Sequence, residues 1–207
     1  MADVVTREKP RRRKSPVERR DEIVEAASRL AIGDGLGAVT AKRVAQDLGV
    51  VPGLVTHYFS SIDDLVAAAF VLAAARERDE LYASARAAAP TSVAGQLGAL
   101  LDSYVDPGRD TISLLWLDAW QDSRRRPALA DAVEGQMLLD YDALAELIEE
   151  GIVSDGLLVP DPREAAVSVM ALVDGLSIRA AVRDRIDYAP VVEVFTETAS
   201  RLLGLAR

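Results

Sequence analysis

The sequence predicts an all-α protein made of a small N-terminal headpiece and a larger C-terminal helical body. Three observations predict it. Ala, Leu, Glu and Arg recur with helical spacing, while runs that alternate apolar and polar residues are nearly absent. Pro and Gly fall where helices begin and end. Charge is divided along the chain: residues 1–60 carry 11 Lys and Arg against 8 Asp and Glu, net +3, and the remainder 13 against 25, net −12, within an overall −9. A basic head on an acidic body is expected where only the head meets phosphate.

Residues 1–14 are polar and basic with no apolar face, which predicts a flexible arm. Ser15-Pro16-Val17-Glu18 places a capping serine, a proline at the first helical position and a glutamate three residues after the cap. Ile23, Ala27, Leu30 and Ala31 then share one helical face, and Gly33 and Gly35 end that helix. Thr40 caps a second helix with Val44, Ala45 and Leu48 inward; Gly49 turns the chain, and Pro52 opens a third helix through Phe59. Ser61 caps a long fourth helix, with Asp63 and Asp64 in its first turn, that runs to Pro90. Further starts at Pro107, Pro127, Pro162 and Pro190 bring the expected total to nine helices, the last two spanning Pro162 to Arg185 and Pro190 to Leu205. The expected division is a basic arm over 1–14, a headpiece over 15–60 and a body over 61–207.

Several chemistries are excluded. With no cysteine and a single histidine, His57, the chain has no disulfide, thiolate zinc site, cysteine nucleophile or paired Glu-x-x-His metal ligands. It has no Gly-rich phosphate loop and no Gly-x-Ser-x-Gly elbow, so a helical-bundle enzyme is only a second reading. Asp, Glu or Arg interrupts the apolar stretches before about 18 residues, and polar residues follow the basic N-terminus where a secretory signal needs an apolar core. The expectation is a cytoplasmic protein with no cofactor and no membrane partner.

Function concentrates between Thr40 and Phe59, which read as a helix-turn-helix. Ala45 is small enough for a close helix crossing, Gly49 makes the turn, Val50 plugs it, and Val55 and Phe59 anchor the third helix inward. Pro52, Gly53, Thr56 and His57 are left on the outer face near the N-terminus of a recognition helix, where side chains meet base edges in the major groove. Thr40, Lys42, Arg43 and Tyr58 suit phosphate contacts, which position without specifying. Helix pairs with a glycine turn also occur in bundles that never touch DNA.

Residues from about Arg19 to Asp79 resemble the DNA-binding domain of the tetracycline-repressor (TetR) family, the match being carried by Gly49-Val-Val-Pro-Gly-Leu-Val-Thr-His-Tyr-Phe-Ser-Ser-Ile-Asp-Asp-Leu65. His57-Tyr58-Phe59, Leu115 to Ala119 and Val173 to Leu176 are similar to the branch typified by the betaine-pathway repressor. The resemblance implies a homodimer on a palindromic operator in double-stranded DNA, and a small-molecule effector bound in the body that releases the DNA. Three positions depart from the family: Val51 stands for the usual Ser or Thr cap of the recognition helix, Thr56 for a tyrosine and Ile62 for a lysine. Val51 and Ser61 join the DNA-contact set on this alignment. The basic arm, Arg11, Arg12, Arg13 and Lys14, either follows the DNA backbone or is a solubilising tail.

In the body, apolar stripes of Val169, Leu172, Val173 and Leu176, and of Val191, Val194, Phe195, Thr198 and Leu202, are core by pattern alone. With the resemblance they become the expected dimer interface. Tyr82, Tyr104, Trp116, Trp120, Met137, Tyr141 and Met170 are large or adaptable residues suited either to core or to an effector pocket. Asp174 interrupts an apolar run and needs either a partner such as Arg179 or a cationic ligand held against an aromatic face such as Trp120. A DNA-bound organiser of the same fold, without a small-molecule effector, is the remaining class.

Overall fold

The computed structural model describes residues 14–182 and 185–205, and these form nine α-helices with no strand among them: α1 (Pro16–Asp34), α2 (Ala41–Leu48), α3 (Pro52–Tyr58), α4 (Ile62–Ala88), α5 (Val93–Val105), α6 (Asp110–Ser123), α7 (Pro127–Ser154), α8 (Pro162–Val182) and α9 (Ala189–Leu202). The starts follow local chemistry. Ser15 and Glu18 form a reciprocal capping box at α1. The Thr40 hydroxyl accepts from the Arg43 amide at 3.2 Å at α2, and the Asp161 carboxylate accepts from the Glu164 amide at 2.9 Å at α8. Gly49 adopts φ 65°, the left-handed turn that separates α2 from α3.

Some boundaries differ from expectation. Pro127 and Pro162 are first helical residues, but Pro107 opens only a short 3-10 turn, Pro107–Arg109, before α6 begins at Asp110. α5 starts at Val93 because the Ser92 hydroxyl, two residues beyond Pro90, accepts from the Gly95 amide at 3.0 Å. α9 ends at Leu202, not Leu205, since Gly204 takes φ 65° and stops it. α8 ends at Val182.

Two apolar cores lie along the molecule. The first joins Ile23, Ala27 and Leu36 to Val44, Val55 and Phe59, and continues through Leu65, Phe70 and Ala74 of α4 into Leu115 and Ala119 of α6 and Leu129 and Val133 of α7. It does not stop at residue 60, so α4, α6 and the start of α7 pack directly against the headpiece. The second holds Leu97, Leu100, Leu144, Ile148, Val169, Val173, Leu176, Phe195 and Leu203.

This second core corrects the expected interface. Val169, Val173, Leu176 and Phe195 are buried within the chain, and Leu172, Thr198 and Leu202 are half-buried; of the nine residues only Val191 and Val194 are exposed. The outward row of α8 is Val167, Ala171, Gly175 and Ile178. The strongest apolar stripe on α8 serves its own subunit, and the smaller residues of the opposite row read weakly in sequence. α8 by itself has the length and hydropathy of a membrane span, contrary to expectation, and its place in this core accounts for its composition.

Candidate DNA-reading surface and effector cavity

Val55 and Phe59, both buried, fix α3 on α1 and α2, with the Arg20 guanidinium 4.7 Å above the Phe59 ring. Val51, Pro52, Gly53, Thr56 and His57 are all exposed, and Tyr58 is half-buried edge-on to His57. The structure thus brings the expected base-reading residues to one outer surface, although the Thr56 hydroxyl also donates to the Gly53 carbonyl at 3.2 Å. Val51 caps nothing. Ser61 is occupied as the α4 cap, its hydroxyl accepting from the Asp63 amide at 3.1 Å.

The cations expected at phosphate are less free than their sequence suggests. Arg43 pairs with Asp34 and Lys14 with Glu22, while Arg11, Arg12 and Arg13 lie outside the described residues. Lys42 is exposed and has no ion-pair partner among the described residues. Lys42→Ala is therefore expected to reduce the slope of log affinity against log salt by about 0.9 per lysine lost, about 1.8 for two subunits, in a binding titration.

Between α4, α5, α6, α7 and α8 lies a cavity of about 600 Å³, part of it open to solvent. All eight residues singled out in sequence line it: Tyr82, Tyr104, Trp116, Trp120, Met137, Tyr141, Met170 and Asp174. The reading missed its remaining charged groups, Glu77, Arg78, Arg109 and Asp140. Asp140 could have been found as a carboxylate one residue from Tyr141 and three from Met137, on the inward face of α7.

The charges do not cancel. Arg78 donates to Asp140 at 2.8 Å and to Gln136 at 3.1 Å, and Arg109 pairs with Glu77 while lying 5.0 Å over the Tyr104 ring. That leaves Asp174, which has no hydrogen-bond or ion-pair partner among the described residues. The expected Arg179 pair does not form. Arg179 is buried elsewhere and donates to the Tyr104 carbonyl at 3.4 Å. Three carboxylates against two guanidiniums give the cavity one excess negative charge when all are ionised. Burial raises Asp140 to about 6 despite Arg78, and burial with the nearby Asp140 raises Asp174 to about 6.

α6 connects this cavity to the headpiece. On one face Trp116 and Trp120 stack with centroids 5.6 Å apart, and Trp116 meets Phe70 of the first core edge-on at 4.8 Å. On another face, the Asp118 carboxylate accepts from the Leu36 amide at 3.3 Å. Gly35 beside it has φ 83°, and a Cβ there would lie 2.8 Å from Asp118. Arg126, after α6, lies 3.6 Å from Asp63 and 3.8 Å from Asp122.

A helix-turn-helix with an outward reading surface, joined through one helix to an aromatic cavity, is the plan of a one-component transcription regulator. The sequence pattern of bacterial regulatory proteins of the tetR family matches residues 23–69, and that of the BetI-type transcriptional repressor C-terminal domain matches residues 93–204. The HTH-type transcriptional regulator BetI of Stenotrophomonas maltophilia (strain R551-3) is 30% identical over 174 residues, covering 82% of this chain and 84% of that protein. A TetR-family regulator from Rhodococcus sp. superposes with TM-score 0.72 at 24% identity, over 90% of this chain and 99% of the other. A transcriptional regulator from Saccharomonospora viridis, solved in complex with choline, superposes with TM-score 0.64 at 23% identity, over 90% and 96%. The chain belongs to the TetR family and, within it, to the BetI-type repressors. It is a ligand-responsive DNA-binding regulator, not an enzyme.

Proposed function

We propose that the protein binds a palindromic operator as a homodimer in the cytoplasm and leaves it when a small organic monocation enters the cavity. The observation that carries the effector class is Asp174, a partly buried carboxylate without a partner in a cavity walled by Trp116, Trp120 and Tyr141. A buried charge needs a counter-charge, and aromatic faces attract cations. The choline complex of the S. viridis regulator supports the same chemistry. Val191 and Val194, with the outward row Val167, Ala171, Gly175 and Ile178, supply the dimer face. Val51, Pro52, Gly53, Thr56 and His57 read bases, and Lys42 holds phosphate, with Arg11 to Lys14 as a further basic contact.

The test is selection of bound fragments from random DNA by the purified protein, followed by operator titration with and without choline. A palindromic consensus released by millimolar choline is the expected result. A consensus that choline does not release removes the cationic effector and leaves the DNA reading intact.

In this reading α6 carries the signal, because Trp116 and Trp120 face the effector while Asp118 holds the turn after α1. Asp118→Ala is expected to leave choline affinity within about twofold but to reduce the ratio of operator affinities without and with choline by at least about threefold, a loss of about 0.7 kcal/mol of coupling. Isothermal titration on the two ligands separately and together measures both quantities.

A further inference from the structure

We infer that the effector carries, besides its positive centre, a hydrogen-bond-accepting oxygen, and that Tyr82 with Tyr104 selects for it. The inference rests on the cationic-effector reading. Among the described residues only two buried side-chain polar atoms lack any hydrogen-bond partner, the Tyr82 hydroxyl and Arg109 Nε, and both residues line the effector cavity. Both atoms are donors. The neighbouring phenol is hardly better served: the Tyr104 hydroxyl donates only to the Met170 thioether, 3.8 Å away, and sulfur is a weak acceptor. Both tyrosine side chains are more than nine-tenths buried.

The cavity has no spare acceptor for these phenols. Asp140 is engaged by Arg78 and Glu77 by Arg109, and Asp174 is bonded to neither tyrosine. An orphaned buried hydroxyl costs about 1–3 kcal/mol, so a native cavity wall with such a group calls for a partner that arrives from outside. Burial also pushes both phenols well above their ordinary range, which keeps them protonated donors. An ammonium ion bearing a hydroxyl, carbonyl or carboxyl oxygen satisfies Asp174 at one end and Tyr82 at the other. Met137 and Met170, unbranched and adaptable, give the wall the freedom to close around it.

The experiment compares choline with propyltrimethylammonium, which has a methyl group where choline has its hydroxyl, by calorimetric titration of the full-length wild-type protein and Tyr82→Phe. Wild type is expected to prefer choline by about tenfold, the worth of one buried hydrogen bond, and Tyr82→Phe to bind the two within about twofold. Tyr82→Phe removes an unpartnered group, so its melting temperature is expected to equal or exceed that of wild type; Tyr104→Phe provides the second variant. Equal binding of both ions by wild type, as when water serves the phenol, or a preference that survives in both variants, overturns the inference while the cationic reading stands. If neither ion binds a wild-type protein that still binds its operator, the inference falls together with that reading.

Discussion

Asp174→Asn is expected to weaken choline binding by about 30-fold or more, about 2 kcal/mol, with operator affinity in the absence of choline unchanged. Asparagine keeps the shape of the carboxylate and removes only its charge. In the wild-type cavity the two guanidiniums are each held by another carboxylate, so Asp174 alone supplies the uncompensated negative charge. The loss is one of recognition and not of folding, because an unpaired, partly buried carboxylate opposes the fold it sits in. The apo variant should therefore melt at or above the wild-type temperature. Unchanged choline affinity in Asp174→Asn would place the cation elsewhere in the cavity and remove the residue's assigned role.

The headpiece was legible because its information is local. Ser15, Thr40, Gly49, Pro52 and Ser61 act within a few residues of themselves, and α1 to α4 follow from them. The cavity residues were legible for another reason: aromatic, thioether and carboxylate side chains stand out against an Ala- and Leu-rich background, and eight of them converge on one space. Two features were hidden. Whether α8 turns its Val169, Val173 and Leu176 stripe toward its own subunit or a second one depends on where α5, α7 and α9 pack, which no pattern within α8 records. The pairing of Arg78 with Asp140 and of Arg109 with Glu77 spans 62 and 32 residues, and each side chain alone reads as an ordinary solvated charge. The spare charge on Asp174 could not be counted until these pairs were known.

That charge carries a pH dependence. Asp174 and Asp140, each raised to about 6, face Glu77, Arg78 and Tyr82 of α4, Tyr104 of α5, Arg109 of the 3-10 turn and Tyr141 of α7. Choline keeps its charge at every pH, so any variation in its affinity belongs to the protein. Ionised Asp174 binds the cation and protonated Asp174 does not. Affinity is therefore expected to be level above about pH 7 and to fall below pH 6 by up to about tenfold per pH unit, the limit for release of one proton on binding. Asp174→Asn should lose that slope. Stability runs the opposite way. A carboxyl raised from its ordinary value of 3.8 contributes stability that is fully present below that value and is lost as pH rises through about 6. Asp174→Asn lacks this loss, so its melting temperature relative to wild type should be higher at pH 8 than at pH 5. Parallel melting curves for the two proteins at these pH values, or a choline affinity that is the same at pH 5 and pH 8, would show that Asp174 is not the group that titrates in the cavity.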